Sequence, residues 1–164
     1  MASITKTNAM RILEKEGIPY QLYHYDGDTF VDGVSAAAKI GKPCEMVYKT
    51  LVTISANKNI HVFVIPVGKE LHLKKAAKAV GEKSIAMLPA AQITQVTGYI
   101  KGGCSPVGMK KRYATVMDRS AQALDTIICS AGKRGMQMEL SPRALAGLIG
   151  AGFADVVIGD ETGS

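Results

Sequence analysis

Tryptophan is absent from this chain, and aromatic residues make up only 5% of it. A protein that held single-stranded nucleic acid mainly by stacking would carry more rings. Cysteine is scarce too. Cys44, Cys104 and Cys129 are odd in number, widely spaced and never arranged as C-x-x-C. That argues against a disulfide framework or a zinc site, and a reducing, cytoplasmic location is expected. His24, His61 and His72 are scattered, with no H-E-x-x-H or similar spacing, so no metal and no cofactor are expected. No spacing marks a Ser-His-Asp set. No apolar run approaches the ~20 residues of a membrane span, and residues 1–6 lack the layout of a signal peptide, so no membrane partner is expected. The chain begins with Met1 and is expected to be whole. Its 164 residues fit one domain with one core, residues 1–164, with 159–164 a frayed tail.

What is present is positive charge. The net charge is +6, which favours nucleic acid or phosphorylated ligands as partners. The most informative stretch is Thr97 to Lys111. Gly102-Gly103 allows unusual backbone angles and close approach of a ligand. Ser105-Pro106 then stiffens the chain. Lys101, Lys110, Lys111 and Arg112 flank it, so its amide N–H groups are expected to face something anionic or carbonyl-like. A Cβ at Gly103 is therefore expected to harm activity more than folding. The alternative is a tight loop whose glycines only satisfy turn geometry.

The patterning predicts helices over Thr7–Glu16, Ser35–Ile40, Leu71–Val80, Ala90–Val96 and Arg143–Ile149. The last is announced by Ser141-Pro142, an N-cap followed by a proline in the first turn. Strands are expected over Tyr20–Tyr25, Val47–Ser55, Ile60–Val67, Ala114–Met117, Thr126–Cys129 and Met136–Leu140. Asp26–Gly33 reads as a polar loop and Phe153–Ile158 as a last apolar segment. Most neighbouring strands are joined by short turns. The expected fold class is therefore α/β in the α+β sense: a mixed or antiparallel sheet surrounded by short helices.

Lys49 is conspicuous, because lysine is rarely buried and both faces of its strand are largely apolar. It either reaches into a pocket to hold a phosphate or carbonyl, or snorkels outward at a sheet edge. Gly103-x-x-x-x-Gly108-Met109-Lys110 lacks the Gly-Lys-Ser/Thr ending of a nucleotide-binding loop. Gly132-Lys133-Arg134-Gly135 fits the G-x-x-G of KH domains, yet sits between two strands and reads better as a basic turn. Cys104 is a tempting nucleophile, although a cysteine among small residues is more often just small and apolar.

Taken together, Val47-Tyr48-Lys49-Thr50-Leu51, Leu73-Lys74-Lys75-Ala76-Ala77-Lys78, Thr97-Gly98-Tyr99 with Gly102-Gly103-x-Ser105-Pro106-x-Gly108-x-Lys110-Lys111, and Gly132-Lys133-Arg134-Gly135 resemble the YbaK family. These are stand-alone aminoacyl-tRNA editing proteins, or Cys-tRNA(Pro) deacylases, with related domains inserted in bacterial prolyl-tRNA synthetases. The resemblance implies a mixed, barrel-like sheet with peripheral helices. It implies aminoacyl-tRNA as substrate and prolyl-tRNA synthetase as a partner to test for. It places Lys49, Gly102 and Gly103 in catalysis, and Tyr25, Gly33, Thr50, Ser105, Pro106 and Ser130 in substrate binding. Lys74, Lys75, Lys78, Lys110, Lys111, Arg112, Lys133 and Arg134 are the expected tRNA contacts. The chain departs from the family pattern at Asp32, where some members carry Phe, and at Gln137, where some carry an acid. Cys104 stands at a variable position.

The resemblance further implies that the substrate cysteine's own thiol attacks the activated ester, with the protein supplying position and amides. Two alternatives stay open. One is editing of alanine or another small amino acid by water; the other is a non-catalytic tRNA- or synthetase-binding module.

Overall fold

The computed structural model describes residues 6–26 and 32–159. The expected frayed end from residue 160 on, and residues 27–31 of the expected polar loop, lie outside the described residues.

Two sheets carry the fold. The larger is built on a hairpin of β2 (Tyr48–Ser55) and β3 (Ile60–Pro66), paired antiparallel with Thr50 opposite Val64. β4 (Ile85–Met87) adds antiparallel to β2, while β5 (Ala114–Asp118) runs parallel to β3 and β8 (Gly152–Ala154) parallel to β5. The order is β4-β2-β3-β5-β8. The smaller sheet is antiparallel, with β7 (Met136–Leu140) between β1 (Gln21–His24) and β6 (Ile127–Lys133). A parallel bridge from Val47 to Ile128 joins the two where β2 begins. The fold is thus α+β with a mixed larger sheet and short helices around it, as the sequence reading expects.

Burial explains the arrangement. Ile60–Pro66 is an almost unbroken apolar run, and every residue from His61 to Pro66 is buried. A strand of that kind needs cover on both faces. On one face, Tyr48, Val64 and Met117 meet Cys129, Met138 and Leu140 of the smaller sheet. Met10 and Leu13 of α1 (Asn8–Lys15) and Leu145 of α5 (Pro142–Ile149) close that core. On the other face, Phe63 and Ile65 meet Ala76 and Ala77 of α3 (Leu73–Ala79), with Ile85 and Val156. A third cluster seats α2 (Gly33–Lys39) through Ala37 on Val47, Val67 and Ile128.

Local signals account for the helix ends. Thr7, Asp32, His72 and Ser141 each accept a hydrogen bond from a backbone N–H three residues on. Pro142 stands in the first turn of α5, as expected. Two differences stand out. Ile85–Met87 is a strand that the alternation of so short a segment does not reveal. The expected helix over Ala90–Val96 is a 3-10 turn at Ala90–Gln92 followed by α4 (Ile93–Thr97).

Candidate active site

A cavity of about 580 Å³ opens over the start of β2, beside the bridge that joins the sheets. Lys49 and Thr50 of β2, Ser130 of β6 and Gln137 of β7 line it. Asp32, Gly33 and Val34 from the start of α2 form one wall, and Lys101, Gly102 and Cys104 another. Tyr25 also lines it, with its amide donating to Gly135 O at 2.9 Å.

Lys49 is half-buried. Neither a hydrogen bond nor an ion pair engages its ammonium among the described residues. It is the cavity that receives Lys49, so the outward-snorkelling alternative does not describe its place. Next to it, the Thr50 hydroxyl is buried without a hydrogen-bond partner. An unsatisfied buried hydroxyl is unfavourable by about 1–3 kcal/mol, which a bound ligand could relieve. Ser130 Oγ accepts from the Gly132 amide at 3.1 Å and keeps its own proton to donate.

The glycine loop is built differently, because its polar groups bind one another. Thr97 Oγ1 donates to Ile93 O and accepts from Tyr99 N. Tyr99 donates its hydroxyl proton to Val107 O. Ser105 is fully buried, and its Oγ accepts from Val107 N at 3.2 Å. The Gly103 amide donates to Ile100 O at 2.9 Å. Two adjacent glycines therefore have separate tasks. Gly102 holds a left-handed φ of +87° and lines the cavity, and its amide has no partner among the described residues. Gly103 does not line it. A Cβ there would stand 2.9 Å from Arg134 N and 3.1 Å from Lys133 C. Gly103 makes room for the β6–β7 turn, and its amide, expected to face substrate, is bonded within the loop. Ser105 and Pro106 also lie away from the main cavity's lining. Ser105 braces the loop, and Pro106 lines a second cavity of about 170 Å³.

Gly33 lines the main cavity for a related reason. An added Cβ would come within 2.5 Å of Val67 Cγ1, so only glycine lets α2 lie against the end of β3. That contact holds Asp32 at the cavity wall. Asp32 Oδ1 accepts from the Ser35 amide at 2.8 Å. This bond, the Ser35 side chain and the Lys49 charge hold the Asp32 carboxyl below its ordinary pKa.

The expected tRNA contacts fall in three places. Lys133 ends β6 and Arg134 opens the turn beneath Gly103, and Arg134 Nε donates to Lys101 O at 2.8 Å, next to the cavity. Lys111 and Arg112 line the second cavity with Pro106, and Arg112 donates to Leu148 O; Lys110 neighbours them in sequence. Lys74, Lys75 and Lys78 belong to α3, where Lys75 bonds Asp155 at 3.0 Å and Val157 O at 3.1 Å. Lys101 and Asp32, which the sequence reading mentions without a role, are brought into the cavity. Their signals, a lysine before the double glycine and an N-cap aspartate three residues before Ser35, were readable.

Chemically the cavity holds binding groups and, among the described residues, no activated nucleophile. No histidine lines it. His61 Nε2 instead meets Glu82 Oε2 at 2.7 Å, and His72 caps α3. Burial pushes the Cys104 thiol up to about 11, against a smaller opposing hydrogen bond with Thr97. Burial alone pushes Cys129 to about 12. Both stay thiols at neutral pH, and the thiolate is the reactive form.

Two sheets joined by the Val47–Ile128 bridge, with a cavity beside it that sets a few polar groups among apolar walls, define a mixed α+β domain built around one pocket. The sequence profile of the aminoacyl-tRNA editing domain matches residues 31–148, and the chain belongs to that family. It is 44% identical over 152 residues to EbsC of Enterococcus faecalis strain V583, a candidate Cys-tRNA(Pro)/Cys-tRNA(Cys) deacylase, covering 92% of this chain and 93% of that protein. Among solved structures, the hypothetical protein APE2540 superposes with a TM-score of 0.84 at 24% identity, over 93% of this chain and all of that one. A candidate trans-editing enzyme for prolyl tRNA synthetase superposes with a TM-score of 0.81 at 22% identity, over 95% of this chain and all of that one. These likenesses agree on the fold.

Proposed function

We propose that the protein is an aminoacyl-tRNA deacylase that clears cysteine from mischarged tRNA, tRNA(Pro) first among its substrates, using the substrate's own thiol. One observation carries this reading. The cavity offers Lys49, the Thr50 hydroxyl and the Gly102 amide as unengaged binding groups, while its only thiol, Cys104, is held protonated. The family and the relative's name support the same substrate class.

In the step proposed, the cysteine thiolate attacks the ester carbonyl carbon. A C–S bond forms as the C–O bond to the ribose breaks. The ribose oxygen leaves with the proton that the thiol gave up, and a four-membered thiolactone is released for later hydrolysis. Lys49 draws the 3′-terminal phosphate or the ester carbonyl into place. The Gly102 amide donates to the oxygen on which negative charge develops. Lys101, Lys133 and Arg134 carry the strand toward the mouth. A cytoplasmic setting and a prolyl-tRNA synthetase partner belong to this reading, and co-purification of the synthetase with this protein tests the partner.

The test is deacylation of purified Cys-, Ala- and Ser-tRNA. Preferential clearance of Cys-tRNA is expected. Rapid release of free alanine would instead make this a water-using editor of small amino acids, and no turnover on any of the three would make it a binding module.

A further inference from the structure

The cavity is charged unevenly. Among the described residues, two lysines line it, Lys49 and Lys101, with a single carboxylate, Asp32. The lysines suit the phosphates and carbonyl of an aminoacyl-tRNA end, whereas a carboxylate repels phosphate. Its presence calls for a positive group on the ligand. An aminoacyl ester has one, the α-ammonium, a single carbon away from the carbonyl under attack.

The placement fits that group. Asp32 and Lys49 are near enough for the lysine charge to bear on the aspartate, yet they form no ion pair with each other. The cavity thus keeps a negative and a positive group on separate elements, α2 and β2, without an ion pair between them. An α-aminoacyl ester has the complementary polarity, with its ammonium beside its carbonyl oxygen. Asp32 is also held in position. Its Oδ1 caps α2 through Ser35 N at 2.8 Å, and Gly33 seats the helix on Val67. A carboxylate offers about four lone-pair sites, so capping leaves capacity for a further donor.

Building on the deacylase reading, we propose that Asp32 receives the α-ammonium of the aminoacyl ester and makes a free amino group a condition of binding. The residue is a specificity determinant and takes no part in bond breaking. N-acylated and peptidyl esters, which lack the charge, would then be spared.

The test is a binding cycle that needs no turnover. Its probes are 3′-amino-3′-deoxyadenosine linked by an amide to cysteine, and the same compound linked to 3-mercaptopropionate, which differs only in lacking the ammonium. The proteins are the wild type and Asp32→Asn. Asparagine caps helices as well as aspartate does, so α2 is kept, and an unchanged melting curve checks this. The wild type should bind the cysteinyl probe about tenfold more tightly than the desamino probe, the scale of one charge-assisted hydrogen bond. In Asp32→Asn the ratio should collapse to less than about twofold, with the desamino affinity unchanged. Equal affinities in the wild type, or a ratio that survives in Asp32→Asn, would overturn the assignment. Failure of the deacylase reading would show separately, as absence of Cys-tRNA turnover by the wild type.

Discussion

The two sides of the cavity are built on opposite plans. On the β2 side, the polar groups are left open: the Lys49 ammonium has no hydrogen bond, and the Thr50 hydroxyl is buried without a partner. On the glycine-loop side, Thr97, Tyr99, Gly103 and Ser105 bind the loop to itself, while the Gly102 amide beside the cavity has no partner among the described residues. The more eye-catching motif is therefore mostly scaffold, and an ordinary-looking strand carries most of the open chemistry. Folding favours closed hydrogen bonds, so groups left open are the ones with another use.

If that contrast is right, changes on the β2 side should strike turnover and changes in the loop should strike stability. Lys49→Ala should lower the deacylation rate about 100-fold, or roughly 2.7 kcal/mol, with little change in melting temperature. Lys49→Arg should rescue poorly, because a planar fork replaces a compact ammonium. Single-turnover deacylation with calorimetry measures both. Near-wild-type rates in Lys49→Ala would erase the contrast.

Gly103→Ala should do the reverse. Its Cβ meets the backbone of the β6–β7 turn, and overpacking of that kind destabilises by about 1–3 kcal/mol. Melting should fall by several degrees, with activity following only the loss of folded protein. A stable but inactive variant would return Gly103 to the substrate side.

A matched pair sharpens the comparison. Thr50→Val removes an unsatisfied hydroxyl at nearly constant volume. It should leave stability equal or raise it by up to about 1 kcal/mol, while turnover drops about five- to tenfold. Ser105→Ala removes the acceptor for Val107 N and should lose about 1 kcal/mol of stability with turnover within twofold. Denaturant titration beside initial rates reads both. If both variants lost stability alone, Thr50 would be structural.

The smallest effects concern the tRNA path. Lys133→Gln with Arg134→Gln should flatten the log–log salt dependence of tRNA binding by about 1.4, at 0.7 for each single-strand phosphate contact. Neutralising Lys110, Lys111 and Arg112, which lie by the second cavity, should change the slope by less than one such contact. The opposite ranking would move the path to that cavity.

Much of this was legible in the sequence, and the reasons differ by element. The β2–β3 hairpin announces itself by two apolar runs around Asn57-Lys58-Asn59, and α5 by Ser141-Pro142. Lys49 stood out because a lysine among apolar neighbours is hard to place elsewhere. The split between Gly102 and Gly103 was not legible. It depends on the β6–β7 turn packing beneath the loop, a contact between segments some thirty residues apart. The part played by Gly33 was hidden for the same reason, since Val67 is remote in the chain. Sequence reading recognises that a residue is unusual. Which neighbour makes it so is decided by tertiary packing.

The account rests on one claim: the cavity supplies position, and the substrate supplies the nucleophile. The most direct measurement compares Cys-tRNA and Ser-tRNA in single turnover with Cys104→Ser protein, which has no thiol in the cavity, and weighs the first product released. The prediction is that Cys-tRNA is cleared about 100-fold faster than Ser-tRNA at a rate close to that of the unaltered protein, because a thiol near pKa 8.5 supplies a few per cent of thiolate at neutral pH and a hydroxyl supplies almost none. The first product should have the mass of cysteine less one water. Comparable rates for the two substrates, or loss of activity with Cys104, would contradict it.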